Sequence, residues 1–349
     1  MRILHVINNL ATGGAEMLVV NMAEEARRAG HTCSIAVLAD APGVPKDRAQ
    51  QLGLDVIQLG SSLYDPRNVF RIRRLASKFD VVHVHLFPAM YVASFAGKNL
   101  FFTEHNSSNR RMESAAWRFV ERFVYRRYTA LVAISVGVKQ ALTSYLDGLG
   151  VRIPVELVMN GVSEDYFTVS RPVEGFNNKL VFVGSLKDSK DPALALEVVS
   201  HIPELELFFA GDGPLRPELE ERARSFQIED RVHFLGITSD VKGVFEKVGA
   251  LLSTSRVEGF GLVAAEAEGT GIPVVGPNLP GLNEVVLDGR TGLLFDERDP
   301  REIADLVNRL EDKDFYTKIS AAAREHARNF SISRTFQNYL SVYKSYLNR

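Results

Sequence analysis

Two carboxylates, Glu258 and Glu266, bracket a glycine-punctuated stretch, VEGFGLVAAEAEG at 257–269. Gly259 and Gly261 allow close backbone approach and unusual dihedrals. The helix expected behind them turns its unpaired N–H groups and positive dipole end forward. Such a place suits an anion, above all a phosphate. A carboxylate beside a phosphate is repelled by it, so the two glutamates make sense as acceptors for hydroxyls on either side of that charge. Two hydroxyl-bearing groups joined by a diphosphate describe a sugar nucleotide. Taken without the surrounding pattern, Glu266 reads as an exposed helical glutamate and Glu258 as a helix-capping acid.

Other chemistry-bearing residues sit at further turns. VGSLKDSKDP at 183–192 offers Lys187 and Lys190 from one loop. ATGGAEM at 11–17 puts Gly13 and Gly14 at the tip of the first strand-to-helix turn. It lacks G-x-G-x-x-G and the acidic residue about 20 positions on, which disfavours a dinucleotide-dependent dehydrogenase. DVVHVH at 80–85 points His83 and His85 to one side of a strand, and TEHN at 103–106 places His105 just past the next one. Together these histidines could be drawn as a metal site, but no carboxylate or cysteine accompanies them. The expectation is no metal, with His85 lining an acceptor cleft and His83 packed.

These residues need a scaffold that delivers strand ends. RILHVIN, TCSIAVLA, LDVIQLG, DVVHVHL, NLFFTEHN, ALVAIS and PVELVMNGV read as apolar strands alternating with helical stretches. KLVFVGSL, LELFFAGDG, RVHFLG, GALLSTS, PVVG and TGLLF repeat the alternation. That is the pattern of open parallel sheets wrapped by helices. TVSRPVEGFNNK lacks periodicity and carries Pro172 and Gly175, so it marks the linker. The expected organisation is an N-terminal Rossmann-like domain at 1–168, a linker at 169–179, a second Rossmann-like domain at 180–332 and a C-terminal helix at 333–349. Open sheets bind ligands beyond the carboxyl ends of their strands.

Bulk composition is consistent with this. At 349 residues the chain exceeds one typical core. A hydrophobic share of 46% and a charged share of 24% describe an ordinary globular protein. A single cysteine, Cys33, leaves no internal disulfide and fits a reducing compartment, so the cytoplasm is expected. No stretch reaches the roughly 18 to 20 apolar residues that span a bilayer. The net charge of −2 hides an asymmetry, with 19 Lys/Arg against 15 Asp/Glu in residues 1–170. Part of it lies in NRRMESAAWRFVERFVYRRY at 109–128, six arginines interleaved with Trp117, Phe119, Phe123 and Tyr125. Two readings stand: a surface helix packing Ala116, Phe119, Val120 and Phe123 into its own domain, or one lying on an anionic membrane at the inner face. The balance is far from that of a nucleic-acid binder.

With these motifs in place, the chain resembles the retaining GT-B glycosyltransferases, glycosyltransferase family 4 in particular. E-x7-E with G-F-G inside it carries the likeness. GGAE, DVVHVH, TEHN, VAIS, NGV, GDGP, VHFLG and GLNEVVLDGRTGLLF follow in family order, up to about residue 330. The resemblance implies two Rossmann-like domains facing across a cleft, with the C-terminal helix crossing back to the first. It implies transfer of a sugar, with UDP-sugar favoured, to a glycan, lipid-linked or small-molecule acceptor, without a metal or other cofactor.

Carried onto these positions, Glu258 and the amides of Gly259, Phe260, Gly261 and Leu262 hold the donor sugar and distal phosphate, and Glu266 the ribose. Lys190 clamps the diphosphate, Gly13 and Gly14 give backbone contacts to phosphate and acceptor, and His105 orients the reacting sugar. Asn160 and Gly161 mark the crossover between domains. Two positions depart from the family pattern: Ser185 stands where an arginine is usual, and Ser163 where an aspartate is common. A serine cannot fork two bonds onto phosphate oxygens. A catalytically weak nucleotide-sugar binder therefore stays open as an alternative, as does a sugar-nucleotide epimerase on the same fold.

Overall fold

The computed structural model describes residues 1–106, 115–169 and 175–347, and the chain divides into two compact units, 1–161 with 332–349, and 162–331. The first is built on a parallel seven-stranded sheet: β1 (Arg2–Ile7), β2 (Thr32–Val37), β3 (Asp55–Gln58), β4 (Val81–His85), β5 (Leu100–Glu104), β6 (Ala130–Ala133) and β7 (Val155–Leu157). Their order is β3-β2-β1-β4-β5-β6-β7. The second sheet holds β8 (Lys179–Val183), β9 (Glu206–Ala210), β10 (Val232–Gly236), β11 (Ala250–Leu252), β12 (Val274–Pro277) and β13 (Gly292–Phe295), in the order β10-β9-β8-β11-β12-β13. β4 and β5 are buried along their whole length, as strands covered by helices on both faces must be.

Helix ends follow local chemistry. Ser135 accepts a bond from the Val138 N–H to open the helix Val136–Leu149, and Gly150 closes it in the left-handed region at φ 63°. Asp299 and Asp312 cap Pro300–Asn308 and Lys313–Ala327 in the same manner. One face of the first sheet packs Leu4, Val6, Val82 and Phe102 against Tyr125, Tyr128 and Leu142. The other packs Ile3, Val81, Phe101 and Val132 under Phe336, Tyr339 and Tyr343 of the final helix, Ile332–Leu347. That helix thus belongs to the first unit, as the resemblance implied. The second unit has its own core around Phe182, Phe209, Leu252 and Tyr316.

The division falls directly after Gly161, ahead of the linker expected at 169–179, of which residues 170–174 lie outside the described residues. The reason is packing. The one-turn segment Glu164–Thr168 is already part of the second unit, with Tyr166 against Phe245 and Phe167 against Gly269. Ser163 caps this segment, accepting from the Asp165 N–H.

Candidate active site

In a doubly wound sheet the strand order reverses at one point, and the loops leaving the two strands there lie side by side. In the second unit that point is between β8 and β11. It therefore brings the loop Gly184–Asp191 beside the segment Ser253–Gly261, which carry two of the sequence motifs. Lys190 Nζ lies 2.5 Å from Glu258 Oε1, and Ser255 Oγ donates to the same oxygen at 2.7 Å. The Thr254 hydroxyl donates to the carbonyls of Lys190 and Asp191 at 3.1 and 2.7 Å. Arg298 spans both segments, donating to Asp191 Oδ2 at 2.7 Å and to the carbonyls of Thr254 and Ser255 at 2.6 and 3.2 Å. Arg256 meets the same Asp191 oxygen at 2.6 Å.

Behind this cluster the helix Leu262–Thr270 starts from Gly261, whose φ of 92° is the left-handed region that favours glycine. Phe260 turns its ring inward against Phe330, 5.5 Å between centroids, so only its backbone remains for a ligand. A Cβ on Gly281 would come within 2.8 Å of the Gly259 carbonyl, and this close approach holds the loop against its neighbour. Glu266 lies one turn into the helix and is half-buried. Burial pushes its carboxyl up to about 7, and a hydrogen bond from Tyr166 partly opposes this. Ser185 and Lys187 are exposed at the mouth of the first loop, and Ser185 supplies no charge.

The first unit presents a different constellation. Gly13 and Gly14 lead into the helix Gly14–Arg28, but the Glu16 carboxylate folds back so far that a Cβ on Gly13 would meet it at 2.2 Å. An anion arriving here has that carboxylate to contend with. His85 is 1% exposed, which corrects the expectation that it lines an acceptor cleft. The physical reason lies in its partners. His85 Nε2 faces His5 Nδ1 at 3.1 Å, and its Nδ1 faces His105 Nε2 at 3.2 Å, so both nitrogens are spent inside the protein. His105, at 8%, keeps an accessible edge. His83 is packed, bonded through Nδ1 to Tyr343 and through Nε2 to Thr103 at 2.6 Å. Burial holds His5 and His105 down to about 4, and His83 and His85 well below the ordinary imidazole value. Nitrogens of His5, His83 and His85 lie within 4.8 Å of one another, but these hydrogen bonds already engage both of His83's.

The helix Ala115–Tyr125 departs from the packed-stripe reading. Its buried face is Glu121, Val124 and Tyr125, with Tyr91 and Tyr145 hydroxyls on the Glu121 carboxylate. Phe119 is 83% exposed, Phe123 49% and Trp117 41%, because satisfying Glu121 turns the aromatic stripe outward. Arg127 stacks over Phe123 at 4.6 Å, and Arg118 and Arg126 donate to the carbonyls of Gly148 and Gly150. Arg110 and Arg111 lie outside the described residues. Among the described residues no helix is long and apolar enough to cross a membrane.

Sequence reading passed over His5, Tyr166, Thr254 and Arg298. His5 left a signal, a lone imidazole inside the apolar run RILHVI. The other three act through contacts remote in sequence.

Comparison with known proteins identifies the two units as glycosyltransferase domains. Residues 168–329 match the family described as glycosyl transferases group 1, and residues 12–166 match glycosyltransferase family 4. A D-inositol 3-phosphate glycosyltransferase of Mycolicibacterium smegmatis is 33% identical over 207 residues, 55% of this chain. The chain spans 48% of that relative's length, about half. The GalNAc-alpha-(1->4)-GalNAc-alpha-(1->3)-diNAcBac-PP-undecaprenol alpha-1,4-N-acetyl-D-galactosaminyltransferase of Campylobacter jejuni is 26% identical over 98% of both chains. Among solved structures, Anabaena HepE in complex with UDP and glucose superposes with a TM-score of 0.85 at 21% identity, covering 99% of this chain and all of that one. The shared architecture is the GT-B fold.

Proposed function

Because the chain is a glycosyltransferase family 4-like protein with the GT-B fold, we propose that it moves a sugar from a nucleotide-sugar donor to an acceptor hydroxyl with retention at the anomeric carbon and without a metal. A UDP-sugar is the favoured donor; HepE binds UDP and glucose. The acceptor is a glycan, a lipid-linked sugar or a small molecule, and the Campylobacter relative is named for an undecaprenol-linked one.

One observation carries this reading: Lys190 and Ser255 converge on Glu258 directly before the glycine-led helix at Leu262. In the free protein Lys190 neutralises Glu258. When a diphosphate arrives at the helix N-terminus, Lys190 turns to it, and Glu258 becomes the acceptor for sugar hydroxyls. Glu266 takes the ribose. The bond from the anomeric carbon to the diphosphate oxygen breaks and the bond to the acceptor oxygen forms on the same face. The acceptor's proton passes to the departing phosphate oxygen, and Lys190 with the loop amides bears the leaving charge. His105 orients the reacting sugar. Incubation with radiolabelled UDP-hexose and an acceptor panel tests this. Transfer giving a product of unchanged anomeric configuration supports it, and an inverted product or an absolute metal requirement refutes it.

The exposed Ser185 favours a second reading, a nucleotide-sugar binder with weak turnover. Tight UDP-hexose binding with neither transfer nor donor hydrolysis is its signature. The outward aromatic stripe of Ala115–Tyr125, flanked by arginines, supports docking on an anionic membrane surface.

A further inference from the structure

The three imidazoles His5, His85 and His105 form a chain with a fixed direction. They stand on adjacent strands, His5 on β1, His85 on β4 and His105 just past β5, and each link joins an Nδ1 to the next ring's Nε2. His83 stacks on His85 at 4.4 Å between centroids and is itself held by Tyr343 and Thr103, and Thr103 meets the Tyr339 hydroxyl at 3.1 Å. No carboxylate touches any of these ring nitrogens among the described residues. Buried in this way, the rings are neutral, so each carries one N–H and one lone pair.

Two links between neutral rings must run head to tail. In the outward direction His5 Nδ1–H donates to His85 Nε2, and His85 Nδ1–H donates to His105 Nε2, which leaves the proton of His105 on Nδ1. In the inward direction every bond reverses and the last proton sits on His5 Nε2. That atom is buried and has no hydrogen-bond partner among the described residues. Orphaned buried N–H groups are rare in proteins, and a bare lone pair is the better tolerated end. The outward direction wins.

We propose that His5 and His85 are positioning residues that hold His105 as its Nδ1–H tautomer, so that it meets a ligand as a hydrogen-bond donor and never as a base. The substrate contact rests on the transferase reading above; the tautomer does not. The chain also explains two histidines, His5 and His85, that the transfer chemistry leaves unused in the interior of the first unit. His85 acts on substrate only through His105, and His5 only through His85.

Long-range proton–nitrogen correlation spectra of the protein carrying nitrogen-15 histidine test the assignment directly at neutral pH. Outward polarity predicts His105 protonated on Nδ1, with a ratio of about ten to one or more over the other tautomer. His85→Phe removes the donor that occupies Nε2 and moves the His105 proton toward that nitrogen. His85→Gln keeps an amide N–H for it and restores the Nδ1–H form. If the variants fail to fold, the wild-type spectrum alone decides. A wild-type His105 protonated on Nε2 overturns the proposal, as does stoichiometric zinc or copper in the purified protein, which would claim the same lone pairs. Failure of the transferase reading would appear instead as absent transfer with the tautomer intact.

Discussion

Glu258→Gln and Lys190→Met should move nucleotide affinity in opposite directions, because in the free protein the two side chains answer each other's charge. Their contact is 2.5 Å, and the side chains are 28% exposed for Lys190 and 15% for Glu258. That places the pair between a solvent-exposed ion pair, worth about 0–1 kcal/mol, and a buried one, where removing a partner costs about 3–5 kcal/mol. A net value of about 1–2 kcal/mol follows. A diphosphate must draw Lys190 away from Glu258 and sit near the remaining carboxylate. Glu258→Gln lifts both burdens and should tighten UDP binding by about 5- to 30-fold, while transfer slows because the sugar loses its acceptor. Lys190→Met removes a charge-assisted bond of about 1.5–3 kcal/mol and leaves Glu258 to repel the ligand, so UDP weakens by roughly 10- to 150-fold. Isothermal titration with UDP at low salt reads both, and Ser255 still bonds Glu258 in the lysine variant, which guards the loop against collapse. Weakening of UDP in both variants would refute the reasoning.

Arg298→Ala removes the fork that ties Asp191 to the carbonyls of Thr254 and Ser255. It should cost about 2–3 kcal/mol in thermal unfolding and loosen UDP as well, since Lys190 and Glu258 lose their shared brace. Glu268 is fully buried, donated to by Thr291 on one oxygen, and burial raises its carboxyl well above the ordinary 4.5. The folded state therefore binds more protons than the unfolded one, and stability falls as pH rises from 4.5 toward the raised value. Glu268→Gln should gain on wild type by up to about 1.4 kcal/mol per pH unit across that window, a difference seen by comparing denaturant midpoints at pH 5 and pH 8. At the aromatic stripe, full burial of a phenylalanine in lipid is worth about 2 kcal/mol. Phe119→Ser should then lower partitioning onto anionic vesicles about thirtyfold in a flotation assay, and unchanged flotation would remove the membrane reading.

Parallel sheets announce themselves in sequence because strands buried on both faces are continuous apolar runs, and the thirteen strands among the described residues all lie on runs the sequence marks. Lys190, Glu258 and the glycine loop were legible for a related reason, being local motifs at strand ends. What holds them was not. Arg298 reaches Thr254 across 44 residues and Asp191 across 107, and a surface-looking arginine carries no local sign of such a contact. The boundary was misread because Tyr166 and Phe167 anchor a segment whose periodicity is too short to register. The stripe at Phe119 resembled a core face, and only the burial of Glu121 by two tyrosines decided which side of the helix turned inward. His85 looked like a cleft residue because strand alternation fixes the face of a side chain, and not how deep it lies.

A crystal structure of the protein with an intact or hydrolysis-resistant UDP-sugar tests the donor site most directly. The diphosphate should lie against the amides at 259–262 with Lys190 swung onto it from Glu258, the sugar hydroxyls on Glu258 and the ribose on Glu266. A nucleotide bound elsewhere in the second unit, or one bound here with the Lys190–Glu258 contact unbroken, would contradict it.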